Sequence, residues 1–331
     1  MATVSVNGLV SIITPTYDTA QFLPATIRSV LNQTYKNWEW IIADDGSTDQ
    51  TAGIMAELQQ SDHRVRFIPA DGHCGIAARV RNRALTYARG EFIAFLDADD
   101  TWHPEKLARQ IAYLRQHANV DGVCCRYEPV GDPEAVNLTK KMMRWDNETI
   151  CRRSDVIRGC PFQTSTVLFR RRCYDELGGM DEDPRLRATE DTEYFARLVA
   201  RYNFHRITEP LSFYRVSSAH SSYTDTTRDM YNSRGWLLFE VMCEKGFYTP
   251  SEKRRKMGYL FYEQAKDNLF HVGGPFRRFL ARSVFSGHPP AKAFPMLILS
   301  VLPAAMARWL LLEVGGLVWR WNTRNSGTAN V

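Results

Sequence analysis

The sequence predicts an α/β fold, a mostly parallel sheet flanked by helices, with a helical C-terminal extension. Three observations carry that expectation. Apolar runs near residues 9–14, 38–43, 65–69 and 92–97 alternate with helix-like stretches near 21–33, 48–60, 76–88 and 104–117. This is the spacing of strand, crossover helix, strand, which joins parallel strands through right-handed connections. Two of the runs end in carboxylates, at Asp44-Asp45 and at Asp97-Ala98-Asp99-Asp100, and the carboxyl ends of such strands are where open α/β sheets place ligands. The third observation is charge: from Ser251 onward twelve Lys and Arg face four acids, whereas the first 250 residues carry 30 against 33.

The first run, Leu9 to Thr14, leads into Pro15-Thr16-Tyr17-Asp18, where a fixed φ and an aromatic ring follow the strand. Trp40 to Ala43 leads into Asp44-Asp45-Gly46-Ser47-Thr48-Asp49, with Thr48 or Asp49 available to cap the next helix. Ile93-Ala94-Phe95-Leu96 reads as a central strand covered on both faces. Thr101 is a candidate cap for the fourth helix, with Pro104 in its first turn. A fifth strand is expected over Val120–Tyr127. The regular alternation then stops, and Pro129, Gly131, Pro133, Gly159 and Pro161 predict loops and short strands over 128–165.

Three acids within four positions, 97–100, repel one another unless donors or a hard cation hold them, and oxygen ligands of this kind suit Mg2+ or Mn2+. Solvated turn acids are the competing reading. Likewise Asp45 before Gly-Ser is also an ordinary turn former, and Arg81 an ordinary exposed helix arginine. The Glu190-Asp191-Thr192-Glu193 acids are favoured in a first helical turn by the helix dipole alone.

In register, these motifs resemble the GT-A, family 2 glycosyltransferases. The residues carrying the resemblance are Val10 to Asp18, Ser29 to Tyr35, Asp44 to Asp49, Arg81-Asn82, Ala88 to Ile93, Asp97 to Asp100, and Glu190-Asp191 with Arg197, together covering residues 9 to 215. The resemblance implies a GT-A (Rossmann-like) catalytic domain over 1–222, with a nucleotide-sugar-binding half at 9–101 and an acceptor-binding half at 102–222; residues 223–331 form the helical, basic, partly apolar C-terminal region. It implies a metal-dependent inverting transfer from a nucleotide-sugar donor, UDP favoured, to a hydroxyl of a carbohydrate or lipid-linked acceptor, in cell-surface polysaccharide or glycolipid synthesis. Pro15, Thr16, Tyr17, Asp45, Arg81 and Asp97 are then donor-binding residues, Asp99 and Asp100 sit at the Mn2+ or Mg2+ ion, and Asp191 is the general base. Thr164, Ser165, Glu190 and Trp102 fall on the acceptor side, Trp145 is a further sugar-stacking candidate, and Arg215 and His220 belong to a segment closing on the diphosphate.

Two other readings stay open on residues alone. Asp97-Ala98-Asp99-Asp100-Thr101 also fits the D-x-D-x-T signature of haloacid-dehalogenase phosphatases, with Asp97 as nucleophile, although that signature belongs at the first strand of its domain. A non-catalytic nucleotide-sugar-binding protein is the other. A nicotinamide-dependent enzyme is disfavoured, because no G-x-G-x-x-G follows the first strand.

The seven cysteines show no C-x-x-C spacing, and an odd count with an adjacent pair is a poor disulfide framework, so a reducing compartment is expected. Residues 1–8 lack the charged and apolar regions of a signal peptide, which points to a cytoplasmic location. Residues 277–321 combine Arg277, Arg278, Arg282 and Lys292 with Trp309, Trp319 and Trp321, and Pro295, Pro303, Arg308 and Glu313 argue against a membrane span. An interfacial element on an anionic inner leaflet and a helical pair packing on the domain or on a second subunit are both compatible with this. The basic residues match no nucleic-acid motif, and oligomeric state is open.

Overall fold

The computed structural model describes residues 6–142, 150–158, 162–216 and 228–267. The chain divides into two units, Met1–Thr227 and Arg228–Val331. In the first, the elements run β1 (Val6–Thr16), α1 (Leu23–Leu31), β2 (Trp38–Asp44), α2 (Thr51–Ser61), β3 (Val65–Ile68), α3 (Ala77–Leu85), β4 (Gly90–Phe95), β5 (Thr101–Trp102), α4 (Lys106–Gln116), β6 (Gly122–Gly131), α5 (Pro133–Met142), β7 (Ile150–Cys151), α6 (Arg153–Arg158), β8 (Leu168–Arg170), α7 (Arg171–Leu177), α8 (Glu190–Arg201) and β9 (Phe204–Val216).

The sheet order is β3-β2-β1-β4-β8-β6-β9-β5, with β7 paired to β9. Strands β3, β2, β1 and β4 are parallel, and β8 then runs antiparallel between β4 and β6. Because β1 lies between β2 and β4, their connections leave in opposite directions and open a crevice at the carboxyl ends of these strands, the usual ligand position in such sheets. Every residue of β2 is buried, as a strand covered on both faces requires. At the opposite end of β4, Gly90 is forced: a Cβ there would lie 2.6 Å from Leu9 O and 2.7 Å from Ser11 N.

The core is apolar and aromatic. Phe95 packs on Phe169 at 5.7 Å between ring centroids and meets Tyr194 and Phe195 edge-on at 6.1 and 6.2 Å. All four rings are fully buried, the three phenylalanines each worth roughly 1.5–3 kcal/mol of transfer free energy, and together they fasten α8 to the sheet. The second unit contains α9 (Arg228–Glu244) and α10 (Pro250–Asp267), joined through Trp236 and Phe261 with centroids 4.9 Å apart.

Three local expectations are corrected. Residues 128–165 hold more regular structure than their prolines implied. Strand β6 continues to Gly131, and Pro133 starts a helix, where its missing N–H costs nothing, while Asp132 Oδ1 accepts from Glu134 N at 2.9 Å and Ala135 N at 3.0 Å. Thr101 caps no helix; with Trp102 it pairs antiparallel to β9, and α4 starts at Lys106. Asp49 sits one residue before the α2 cap, holding Thr51 N at 2.9 Å and, with its other oxygen, Ala20 N at 3.0 Å.

Candidate active site

The site is built where β1, β2 and β4 end and where α8 begins. The first two turns are laced together. Asp44 accepts from Thr16 Oγ1 at 3.0 Å and from Gly46 N and Ser47 N at 3.1 and 2.9 Å, so it shapes the turn. Thr16, expected at the donor, instead commits its hydroxyl to Asp44. Asp18, with φ +48°, accepts from Thr48 N at 2.7 Å, and its own N–H donates to Ser47 Oγ at 2.9 Å. Tyr17 is left projecting, 44% exposed, with its ring 4.3 Å from that of His73. Pro15 is placed opposite Ala43 by the strand register.

Asp45 is nearly buried and binds the loop before α3: Oδ1 accepts from Cys74 N at 3.0 Å and from the Cys74 thiol at 2.9 Å, and Oδ2 from Gly75 N at 2.8 Å. Burial opposes ionisation here, but these hydrogen bonds, with His73 nearby, outweigh it and hold the carboxyl below its ordinary range. This Gly72-His73-Cys74-Gly75 loop is not among the residues singled out from the sequence; its two glycines shortly before a helix are the signal that marks it.

The β4 turn separates its three acids by environment. Asp97 Oδ1 accepts from Arg81 Nη2 at 2.7 Å. Asp100 is fully buried, with Oδ2 accepting from Ser165 Oγ at 2.6 Å and Gln163 Nε2 at 2.7 Å, and Oδ1 from Arg215 N at 2.8 Å. Burial and the neighbouring carboxylates push it well above the usual carboxylate range. Asp100 therefore does not match the expectation of a metal ligand: both its oxygens are committed to protein donors, and it ties the β4 turn to the 163–165 segment and to β9.

Asp99 is the contrasting case. No side chain among the described residues donates to its carboxylate, and burial with the Asp97 charge beside it raises it to about 6. A hard cation would relieve that repulsion, so the residues fit a divalent ion through Asp99, with Asp97 nearby. Among the described residues no group of three or more His, Cys, Asp or Glu side chains could hold a metal alone. Mg2+-type ions usually need only one or two carboxylates when substrate phosphates and water complete the shell.

Arg81 crosses the site from α3. Besides Asp97 it reaches Glu190 Oε1 at 3.2 Å, and it is nearly buried. Named above as a donor-binding residue, it is engaged here by two carboxylates, which hold the guanidinium charged despite burial. Glu190 is buried with Oε2 unpartnered; burial raises it and Arg81 opposes that rise. It faces Arg81 rather than an open acceptor cleft. One residue on, Asp191 Oδ2 accepts from Thr164 Oγ1 at 3.0 Å and Oδ1 from Thr192 N at 2.6 Å, the latter at the free N–H groups of the first helical turn. Thr164 thereby touches the expected base rather than standing apart on the acceptor side.

Ser165 bridges Asp97 N at 3.0 Å and Asp100, so its hydroxyl is also committed. Trp102 is corrected from a stacking platform to core: it is 3% exposed, donates to Ser165 O at 2.7 Å and carries Lys106 Nζ 4.0 Å above its ring. Arg215 donates through Nε to Asp99 O at 3.0 Å, which places its guanidinium beside the turn. Trp145, His220 and residues 277–321 lie outside the described residues.

The family model for glycosyl transferase family 2 matches residues 11–178, and the chain belongs to that family. Among curated relatives, the UDP-Glc:alpha-D-GlcNAc-diphosphoundecaprenol beta-1,3-glucosyltransferase WfgD of Escherichia coli is 42% identical over 128 residues, 39% of this chain and 49% of that protein. The chain spans about half the length of the curated relatives it matches, or somewhat less. Its fold is similar to that of Staphylococcus aureus TarS 1-349 in complex with UDP-GlcNAc, at TM-score 0.59 and 18% identity over 90% of this chain and 87% of that one. It is also similar to the mannosyltransferase PcManGT from Pyrobaculum calidifontis in complex with GDP-Man and Mn2+, at TM-score 0.53 and 17% identity over 94% and 80%. These solved chains share the GT-A architecture predicted above. Asp97, the nucleophile of the phosphatase reading, is here paired with Arg81 in a family 2 fold.

Proposed function

We propose that this chain is a metal-dependent inverting glycosyltransferase that moves a sugar from a UDP-linked donor to a hydroxyl of a carbohydrate or lipid-linked acceptor in cell-surface polysaccharide or glycolipid synthesis. The observation that carries the reading is Arg81, whose guanidinium joins Asp97 on the donor turn to Glu190 beside Asp191. One network thus ties the turn that would receive a nucleoside diphosphate to the carboxylate that would activate an acceptor. The UDP-GlcNAc complex of TarS and the name of WfgD favour a UDP donor, and the Mn2+ of PcManGT favours a divalent cation.

In this reading Asp99, with Asp97 near it, would hold Mn2+ or Mg2+, which when bound would supply positive charge for the diphosphate leaving group. Asp191, oriented by Thr164 and the first turn of α8, takes the proton from the acceptor hydroxyl, a step worth about 10²–10⁴ in rate. The acceptor oxygen bonds to the anomeric carbon from the face opposite the diphosphate, and the bond to the diphosphate oxygen breaks. Configuration inverts and a nucleoside diphosphate leaves. Arg215, bonded to Asp99 O, would meet that charge in this reading. The basic 277–321 stretch supports contact with an anionic membrane surface, where a lipid-linked acceptor would lie; among the described residues no helix is long and apolar enough to cross a membrane.

The test is UDP release by the purified chain given UDP-sugars, Mn2+ and carbohydrate or lipid-diphosphate acceptors. Release that needs metal, and that Asp191→Asn lowers at least 100-fold while UDP binding persists, supports the reading. No release with any donor or acceptor refutes it.

A further inference from the structure

Arg187 lies in the loop before α8, outside every motif discussed above. A Cβ placed on Gly75 would sit 3.6 Å from Arg187 Nη2 and 3.5 Å from His73 Nε2, so the two side chains converge over one glycine. That glycine holds the Asp45 carboxylate through its N–H at 2.8 Å, and φ +64° suits a residue without a side chain. His73 is itself fixed, with Nδ1 2.8 Å from Asp45 O and its ring against Tyr17. The backbone around Arg187 is held: Arg187 N donates to Pro184 O at 3.2 Å, Leu186 O accepts from Thr189 N at 2.7 Å and Thr189 Oγ1 at 3.0 Å, and Ala188 takes the left-handed φ of +62°. A non-glycine residue in that conformation stores strain, and such positions cluster at ligand-binding sites.

The charge arrangement singles this arginine out. Its neighbours are neutralised: Arg79 by Glu182 at 3.2 Å, Arg81 by Asp97 and Glu190, Arg185 by Asp183 at 2.7 Å. Arg187 has no carboxylate partner among the described residues, although Glu182, Asp183 and Glu190 lie within five positions of it in the chain. An exposed guanidinium fork beside a nucleotide crevice matches the geometry of phosphate oxygens.

We propose that Arg187, with His73 beside it, contacts the phosphate groups of the bound nucleoside diphosphate. The acceptor half thereby supplies a donor-binding residue, and donor binding steadies the loop that ends at Asp191, four residues on. The inference rests on the donor site proposed above.

The test compares binding of UDP, GDP and dTDP, and of uridine, which lacks phosphates, by calorimetry with Mn2+ on the full chain. Thermal melting would check that each variant is folded. Arg187→Gln is expected to weaken binding of the preferred diphosphate about tenfold, to leave uridine binding unchanged and to flatten its salt dependence. Arg187→Lys is expected to restore part of the loss, and His73→Gln to weaken the diphosphate more than uridine. Unchanged diphosphate affinity in Arg187→Gln, or equal losses for diphosphate and uridine, overturns this inference and leaves the donor site standing. A wild-type chain that binds no nucleoside diphosphate overturns the donor site and this inference together.

Discussion

Thr164 Oγ1 donates to Asp191 Oδ2 at 3.0 Å, joining the segment ahead of β8 to the first turn of α8. The other Asp191 oxygen is held by its own helix at 2.6 Å. Two fixed donors leave the carboxylate a single orientation. Thr164→Val keeps the shape of the buried side chain but removes the donor. It is expected to lower kcat about tenfold, the order of one hydrogen bond to a carboxylate of about 1.4 kcal/mol, with little change in donor KM. Thr164→Ser keeps the hydroxyl and should recover most of the rate. Steady-state kinetics on both variants checks this.

The β4 acids should separate by phenotype. Asp100→Ala leaves Ser165 Oγ, Gln163 Nε2 and Arg215 N without their acceptor, and the buried Ser165 hydroxyl alone costs about 1–3 kcal/mol, with less from the two half-buried donors. A fall of several degrees in melting temperature is expected. Asp99→Asn loses no side-chain hydrogen bond and should melt near the wild-type temperature while losing Mn2+-dependent turnover. Melting curves paired with activity at saturating metal distinguish the two, and the reverse pattern would contradict the assignment of Asp99 to the ion.

Removing Arg81 should cost more than removing its network. Arg81→Met strands the Glu190 and Asp97 carboxylates, and breaking a buried pair from one side typically costs about 3–5 kcal/mol. Adding Glu190→Gln removes one stranded charge and should return roughly 1–2 kcal/mol of that loss. Urea unfolding of the single and double variants, read as a double-mutant cycle, gives the coupling energy.

Lys106 makes stability depend on pH. Its amine is fully buried, bonded to Gln110 Oε1 at 2.9 Å and set over Trp102, and burial lowers it from 10.5 to about 8. Between those values the unfolded chain binds more protons than the folded one. Stability from this group therefore rises as pH climbs from about 8 toward 10.5, and the penalty of the buried charge is fully present below 8. Lys106→Met, which cannot charge, is expected to compare better with wild type at pH 7 than at pH 10, by at most roughly 3 kcal/mol. Denaturant midpoints at the two pH values measure it.

Much of the frame was legible in the chain. The apolar runs ending at Thr14, Ala43 and Phe95 predict the parallel strands because burial on both faces demands continuous apolar sequence, and the acids after them mark the strand ends. The helix over 133–142 was obscured because Pro133 was read as a breaker, yet proline is neutral in a first turn and only the Asp132 cap identifies that turn.

Sequence by itself determined which residue types stand at each strand end, since local periodicity and turn chemistry act over a few residues. Only tertiary structure decided what each does: Asp99 and Asp100 are adjacent in the chain, but one lacks a side-chain donor while the other is held by Gln163, Ser165 and Arg215, 63 to 115 positions away. Whether a carboxylate meets a ligand or a protein donor is fixed by the groups folding brings beside it. A hydrogen bond acts over about 3 Å regardless of chain separation, so no local pattern encodes the choice.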